Sequence, residues 1–211
     1  MIILIGNQKG GTGKSTLTLL VANYLAYVKK RHVTVIDMDE QQHLVAKAQR
    51  AMILENTPGY HVVPRASPSS PSHDRPDQPG DIVLIDMSSK LSDEQIPIIA
   101  SADLVFCPFA YDEFSMQPTL VFAIVLRKIN PGLPLVFIPN RIKNSVNYGT
   151  KLEADKALQV FGGVTPSLAD KVDFQRITTF HTPVSLHALT LPVLDLIYEH
   201  YILRYEKSSN D

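Results

Sequence analysis

The sequence predicts an α/β fold of three layers, a mostly parallel sheet with helices on both faces. Three observations predict it. Strand-like and helix-like segments alternate along the 211 residues. Most of the strand-like segments are continuous apolar runs, the pattern of parallel strands buried on both faces. The polar residues that interrupt these runs, from a glycine-rich loop near the start to Asp37, Asp86 and Asn140, fall at the carboxyl ends of strands. That edge is where open α/β sheets bind ligands.

The elements follow in order. Residues 2–5 are an apolar strand. Leu17, Leu20, Val21, Tyr24 and Val28 share one face of a helix. Residues 32–37 form a second strand, and a helix is expected over 42–54, before a turn at Thr57, Pro58 and Gly59. Residues 60–63 suit a short strand. Residues 64–80 carry Pro64, Pro68, Pro71, Pro76 and Pro79 among serines, a density that no helix or interior strand tolerates. This Pro/Ser-rich loop reads as a mobile insertion or a partner-binding element. Strands are expected at 81–86, 103–108, 134–138 and 164–166. Helices are expected at 92–102 (disturbed by Pro97), 114–129, 149–160 and 170–180. A final helix is expected over 191–207, capped by Thr190 with Pro192 in its first turn.

Composition sets bounds on function. With 45% hydrophobic and 19% charged residues, the chain is an ordinary globule, expected to form one domain over 1–211. The net charge of −1 gives no global basic field, so nucleic-acid binding would need a local patch. The single cysteine, Cys107, lies in an apolar run and reads as a buried thiol. No stretch is long and apolar enough to cross a membrane, and no basic leader precedes the first strand. A cytoplasmic protein is expected. The seven histidines are scattered, with no metal-ligand spacing among them.

The most informative stretch is Asn7, Gln8, Lys9, Gly10, Gly11, Thr12, Gly13, Lys14, Ser15, Thr16, between the first strand and the first helix. Glycines let successive backbone N–H groups turn toward one point, and a helix N-terminus adds partial positive charge there. Lys14 would reach the terminal phosphates of a nucleotide, and the Ser15 hydroxyl would ligate Mg²⁺. The strict pattern G-x-x-x-x-G-K-[ST] fails, because Gln8 stands where its first glycine belongs. What fits is K-G-G-x-G-K-S-T, with an additional lysine at Lys9. This resembles the deviant Walker A motif of the ParA/MinD family of ATPases, and the Asn-Gln-Lys-Gly-Gly opening resembles the form common among ParA proteins.

The resemblance implies a P-loop ATPase that binds ATP with Mg²⁺. It implies that Gly10, Gly11, Thr12, Gly13, Lys14, Ser15 and Thr16 hold the nucleotide. Asp86, closing an apolar run, has the form of a Walker B aspartate that would hold Mg²⁺ through water. Asp37 and Asp39 resemble the family's D-x-D-P-Q switch, with Gln41 in its last position. Asp39 would then orient the attacking water and Asp37 would help the magnesium shell. Lys9 would contact the nucleotide of a second protomer, and supply charge to the developing phosphate anion. Asn140 and Arg141 resemble the adenine-facing position, and Asn140 reads equally as a turn residue. Two positions depart from the pattern. Glu40 replaces the switch proline, and Met87, Ser88, Ser89 follow Asp86 where proline or glycine is usual.

The function this implies is a ParA-like ATPase that positions or segregates DNA. ATP would drive a sandwich homodimer that binds DNA without sequence preference, and a small centromere-binding or adaptor protein would stimulate hydrolysis. A ParA-like role in conjugative transfer is a close variant. A MinD-like membrane-associated regulator would need a basic amphipathic tail, and the chain instead closes on the polar, mixed-charge residues 205–211. A metabolic ligase on the same fold is disfavoured by Lys9 and the doubled glycine. The bases Arg141, Lys143, Lys151, Lys156, Lys171 and Arg176 are the candidate DNA patch, and read also as the solvated faces of two helices.

Overall fold

The structure is a computed structural model, and it describes residues 1–52, 58–65, 76, 78, 80–143 and 145–208. Seven strands form one sheet in the order β3-β2-β4-β1-β5-β6-β7. They are β1 (Ile2–Ile5), β2 (Val33–Asp37), β3 (His61–Pro64), β4 (Ile82–Asp86), β5 (Leu104–Phe109), β6 (Leu135–Pro139) and β7 (Gly163–Val164). Every pairing is parallel. The registers that matter for function are Ile5 with Asp86 and Asp37 with Asp86. They bring the ends of β1, β2 and β4 to one place.

Burial explains the continuous apolar runs. Strands β1, β4, β5 and β6 are buried at every position. Their side chains divide by parity. Ile3, Ile5, Leu84, Phe106 and Val136 face one core, with α1 (Lys14–Asn23) and α6 (His187–Ile197). Ile2, Leu4, Ile85, Val105 and Phe137 face the other. There they meet α3 (Ile96–Ser101), α4 (Glu113–Ile129) and α5 (Lys151–Gln159). The helix α2 (His43–Met52) follows β2 and buries Leu44 and Val45. The three predicted layers are therefore present. Cys107 is fully buried, as its apolar setting predicts.

Pro64 is tolerated because β3 is an edge strand. Most of the Pro/Ser-rich loop lies outside the described residues, as do Leu54 at the expected end of α2, Thr57 of the expected turn, and residues 209–211. Pro97 sits in the first turn of α3, where a missing N–H costs nothing. Ahead of it, Ser92 and Gln95 form a reciprocal cap on a short 3₁₀ turn, so residues 92–102 are two pieces rather than one helix.

Three expectations are corrected. Val28 does not share the buried face of the first helix; it is 53% exposed. A π-helical turn over Tyr24–Val28 follows α1, and its wider turn breaks the 3.6-residue phase. Residues 170–180 are not a helix. Only Val172–Arg176 coils, as a 3₁₀ turn with no buried side chain to hold a longer one. The last helix starts at His187, not after Thr190, and Pro192 lies inside it. Thr190 is buried, and its hydroxyl donates to the Leu186 carbonyl one turn back rather than capping the N-terminus. The chain continues through a π turn, Tyr198–Ile202, into α7 (Leu203–Ser208).

Candidate functional site

The glycine-rich loop leaves β1 and enters α1 with Gly11 and Gly13 at φ of 77° and 89°. Those values favour glycine. At Gly13 space adds a second constraint, because a Cβ there would stand 2.5 Å from the Asn140 side-chain nitrogen. Gly13 caps α1 with no side-chain hydrogen bond, and the first turn holds no acidic residue. The first N–H groups of α1 therefore keep their donors and their partial positive charge for an anion.

Other strands hold the loop in shape. Asn7 is 1% exposed. Its amide donates to the Pro108 carbonyl (2.9 Å) and to the Thr119 hydroxyl (2.8 Å), and its oxygen accepts from the Lys9 N–H (2.9 Å). The loop is thus tied to β5 and α4. On the other side Asn140 donates to the Thr12 carbonyl (2.8 Å) and Arg141 to the Gly11 carbonyl (2.9 Å). Both expected nucleotide-facing residues after β6 therefore hold the loop backbone. Arg141 reaches it from a left-handed conformation, φ 59°.

Lys14 folds under the loop and is 9% exposed. Its ammonium donates to the Lys9 carbonyl (3.2 Å) and to the Ser89 hydroxyl (2.7 Å). Burial lowers its pKa, opposed by the negative charge of Asp86. Asp86 is 2% exposed and accepts from the Thr18 hydroxyl at 3.1 Å. Burial pushes its pKa up to about 7 against the Ser15 and Thr18 hydroxyls, which favour the anion. The Asp37 carboxylate beside it raises it further. A buried pair of carboxylates at the ends of adjacent strands, beside a serine hydroxyl, is an oxygen donor set that fits Mg²⁺. That ion takes one or two carboxylates and keeps its waters and phosphates.

The two switch aspartates part company. One Asp37 oxygen accepts from the Asp39 N–H, the other from the Leu44 and Val45 N–H groups at the start of α2. Asp37 is therefore committed to three backbone donors and holds the switch segment to α2. Asp39 lies further out, its side chain 42% exposed, accepting from the Gln41 N–H.

Two cavities flank the loop. One of about 220 Å³ is lined by Gly13, Thr16, Asn140, Arg141, Asp170 and Phe174 among others. One of about 370 Å³ lies on the Lys9, Gly10 and Asp112 side. A separate apolar cavity of about 210 Å³ between α1 and α6 is remote from these strand ends, and Asn23 in its wall is fully hydrogen-bonded.

The structure brings Lys9, Lys14, Ser15, Asp37, Asp86, Asn140 and Arg141 around one loop. The roles of Asn7, Thr18 and Ser89 in this arrangement are not assigned by the motif. Thr18 had a signal, standing one helical turn after Lys14. Ser89 stood out as a departure from the pattern, but only the path of the chain after β4 brings it to Lys14. The basic cluster is partly neutralised, with Arg176 paired to Asp173 (3.0 Å) and Arg141 near Asp170 (3.9 Å).

Comparison with known proteins gives the family. The chain is 26% identical over 222 residues to the chromosome-partitioning ATPase Soj of Thermus thermophilus, covering 87% of this chain and 89% of that protein. It is 24% identical over 197 residues to the protein ParA of Rhizobium radiobacter, covering 81% and 87%. In fold it resembles a plasmid partition protein of Borrelia burgdorferi crystallised with AMPPNP. The TM-score is 0.73 at 19% identity, covering 94% of this chain and 98% of that one. The family model described as the CobQ/CobB/MinD/ParA nucleotide binding domain matches residues 3–184, which takes in the loop, Asp37, Asp86 and Asn140. By loop, strand order and sequence match together, the chain belongs to the CobQ/CobB/MinD/ParA family of nucleotide-binding domains.

Proposed function

We propose that this protein is a Mg²⁺-dependent ATPase of the ParA kind. Its ATP-bound form pairs with a second copy, binds DNA without sequence preference and is released when a small partner protein stimulates hydrolysis. The observation that carries the reading is the convergence of Lys14, Ser15 and Asp86 beneath an uncapped helix N-terminus. Soj and ParA, with names that point to partition, are the relatives that favour partition over other uses of the fold.

In this reading the backbone of residues 10–16 and the Lys14 ammonium neutralise the phosphates. Ser15 and Asp86 hold the metal, which when bound supplies positive charge to the phosphate oxygens. Asp37 fixes the switch segment, and Asp39 at its exposed end orients water for in-line attack. Asn140 and Arg141 keep the loop open toward the 220 Å³ cavity, where the base sits. Lys9 reaches the nucleotide of the second protomer.

The C-terminal helix supports DNA over a membrane as the docking surface. Glu206 of α7 pairs with Arg31 and Tyr205 donates to Asp103, so this helix is tied to the body. No helix among the described residues is long and apolar enough to cross a membrane.

The test is nucleotide binding and light scattering with a non-hydrolysable ATP analogue. Lys14→Ala should lose binding, since it removes a charge-assisted phosphate contact. Lys9→Ala should bind yet stay monomeric. Tight binding by Lys14→Ala would refute the loop assignment, and an unchanged dimer in Lys9→Ala would refute the cross-subunit role.

A further inference from the structure

The apolar cavity between α1 and α6 has no part in the nucleotide reading, and two irregular helices make it. One wall is the π turn after α1, which contributes Tyr24, Tyr27 and Val28. In the facing wall Leu191 and Leu194 flank Pro192, whose missing N–H interrupts the bonding of α6. A wide turn opposite a proline-disturbed one does not interlock ridge into groove. About 210 Å³ is left between them, closed at one end by residues 180–182.

The chemistry of this cavity is narrow. Its depth is apolar, with Leu20 and Leu194 at 2% and 3% exposure. The polar groups in its wall are already committed. The Tyr24 hydroxyl donates to Asp195, the Tyr27 hydroxyl to the Thr179 carbonyl and the Thr190 hydroxyl to the Leu186 carbonyl. Among the described residues, no Asp, Glu, Lys or Arg lines it. Val28 and His181 are exposed and mark its mouth. The side chains of His181 and His187 make no hydrogen bond among the described residues, so their ring nitrogens are the polar atoms left for a guest.

We propose that this cavity is a binding site for a small neutral aromatic molecule of one or two rings that carries a single N–H or O–H. Size sets the upper limit. An apolar protein cavity of about 150 Å³ takes up benzene, and the larger space here has room for a second, fused ring. Tyr24, Tyr27 and Phe180 offer ring faces and edges to a flat guest. A charged guest would give up hydration to a wall with no counter-charge. One N–H or O–H on the guest finds its acceptor on an imidazole nitrogen, since a neutral histidine has one nitrogen that accepts.

Indole is the probe that tests this. Calorimetric titration of indole into the wild type should give a Kd of about 1 mM or below, the scale expected of a ligand of that size. Nuclear Overhauser contacts should join the indole protons to the rings of Tyr24 and Phe180. Val28→Trp, at an exposed position, places a large side chain over the mouth and should weaken binding at least about tenfold. Val160→Trp, at a position 80% exposed and outside the cavity, should stay within about twofold of wild type. No wild-type binding at millimolar indole would overturn the assignment. So would unchanged affinity in Val28→Trp, or indole contacts to rings elsewhere in the protein. If Val28→Trp failed to fold, the contacts seen in the wild type would decide alone.

Discussion

At the scale of single residues, Asp86 is the group whose environment differs most usefully from water. Burial pushes its pKa up to about 7 from the 3.8 of an aspartate in water, with the neighbouring Asp37 carboxylate adding to the rise. The sign follows from proton counting. Between these two values the folded state holds the proton and the unfolded state does not, so stability falls as pH rises through that window. Over about three units the loss is on the order of 4 kcal/mol in the protein without nucleotide. Asp86→Asn removes the charge and keeps the shape. Urea denaturation should find Asp86→Asn more stable than wild type at pH 8, with the gap closing near pH 4.5. The same substitution should weaken magnesium-dependent nucleotide binding, so stability and function move in opposite directions. A variant equally stable at both pH values would show that burial does not strain this carboxylate. That Asp86 ends an apolar strand was legible in the sequence. Its pKa was not, because it depends on Asp37, Ser15 and Thr18 arriving from two other elements.

At the scale of elements, the loop is shaped by tethers from outside it. Asn7 and Asn140 hold opposite flanks, to β5 and α4 on one side and from the end of β6 on the other. Both are buried, 1% and 7% exposed, so truncating either leaves backbone or hydroxyl groups unpaired away from water. Asn140→Ala should cost about 1–3 kcal/mol in stability and raise the Kd for nucleotide, while Asn140→Asp should fail to rescue, because a carboxylate cannot donate to the Thr12 carbonyl. Chemical denaturation alongside nucleotide titration reads both effects. Wild-type stability in Asn140→Ala would mean that the bond to Thr12 holds nothing. Reading Asn140 as either a nucleotide-facing or a turn residue stopped short of this tether, which spans 128 positions. The switch aspartates show the same limit. Their D-x-D spacing is plain, yet only the start of α2 decides that Asp37 tethers that helix while Asp39 lies further out.

At the scale of the whole molecule, net charge of −1 and a partly paired basic cluster make a poor DNA ligand of one protomer. In the proposed dimer two copies would double the number of phosphates neutralised, and affinity driven by counterion release depends steeply on that number. Retention of random-sequence duplex should therefore appear with ATP, vanish with ADP and fall steeply with salt. Removing Lys171 and Arg176 together should flatten the salt slope. Asp173→Asn, which releases Arg176 from its ion pair, should tighten binding. An ATP-loaded dimer that ignores DNA at low salt and pellets with anionic liposomes would instead favour the membrane-associated reading.

What the sequence by itself determined is what short-range periodicity and local motif can encode. The parallel three-layer class follows from continuous apolar runs, each of which needs cover on both faces. The phosphate loop follows from glycines set between a strand and a helix. The places where the pattern failed are places where the local backbone departed from simple helical periodicity or had too little to bury. The π turn after α1 moved Val28 into solvent. Residues 170–180, with little to bury in Val172–Arg176, stayed a 3₁₀ turn. Thr190 bonded back into its own helix rather than capping it. Only the tertiary structure decided which side chains meet across the strand ends. The seating of Lys14 on Ser89, the pairing of Asp86 with Asp37, and the clamping of the loop by Asn7 and Asn140 are all of this kind. Each joins residues tens of positions apart, and the sheet order that brings them together is set by packing on both faces rather than by any local signal.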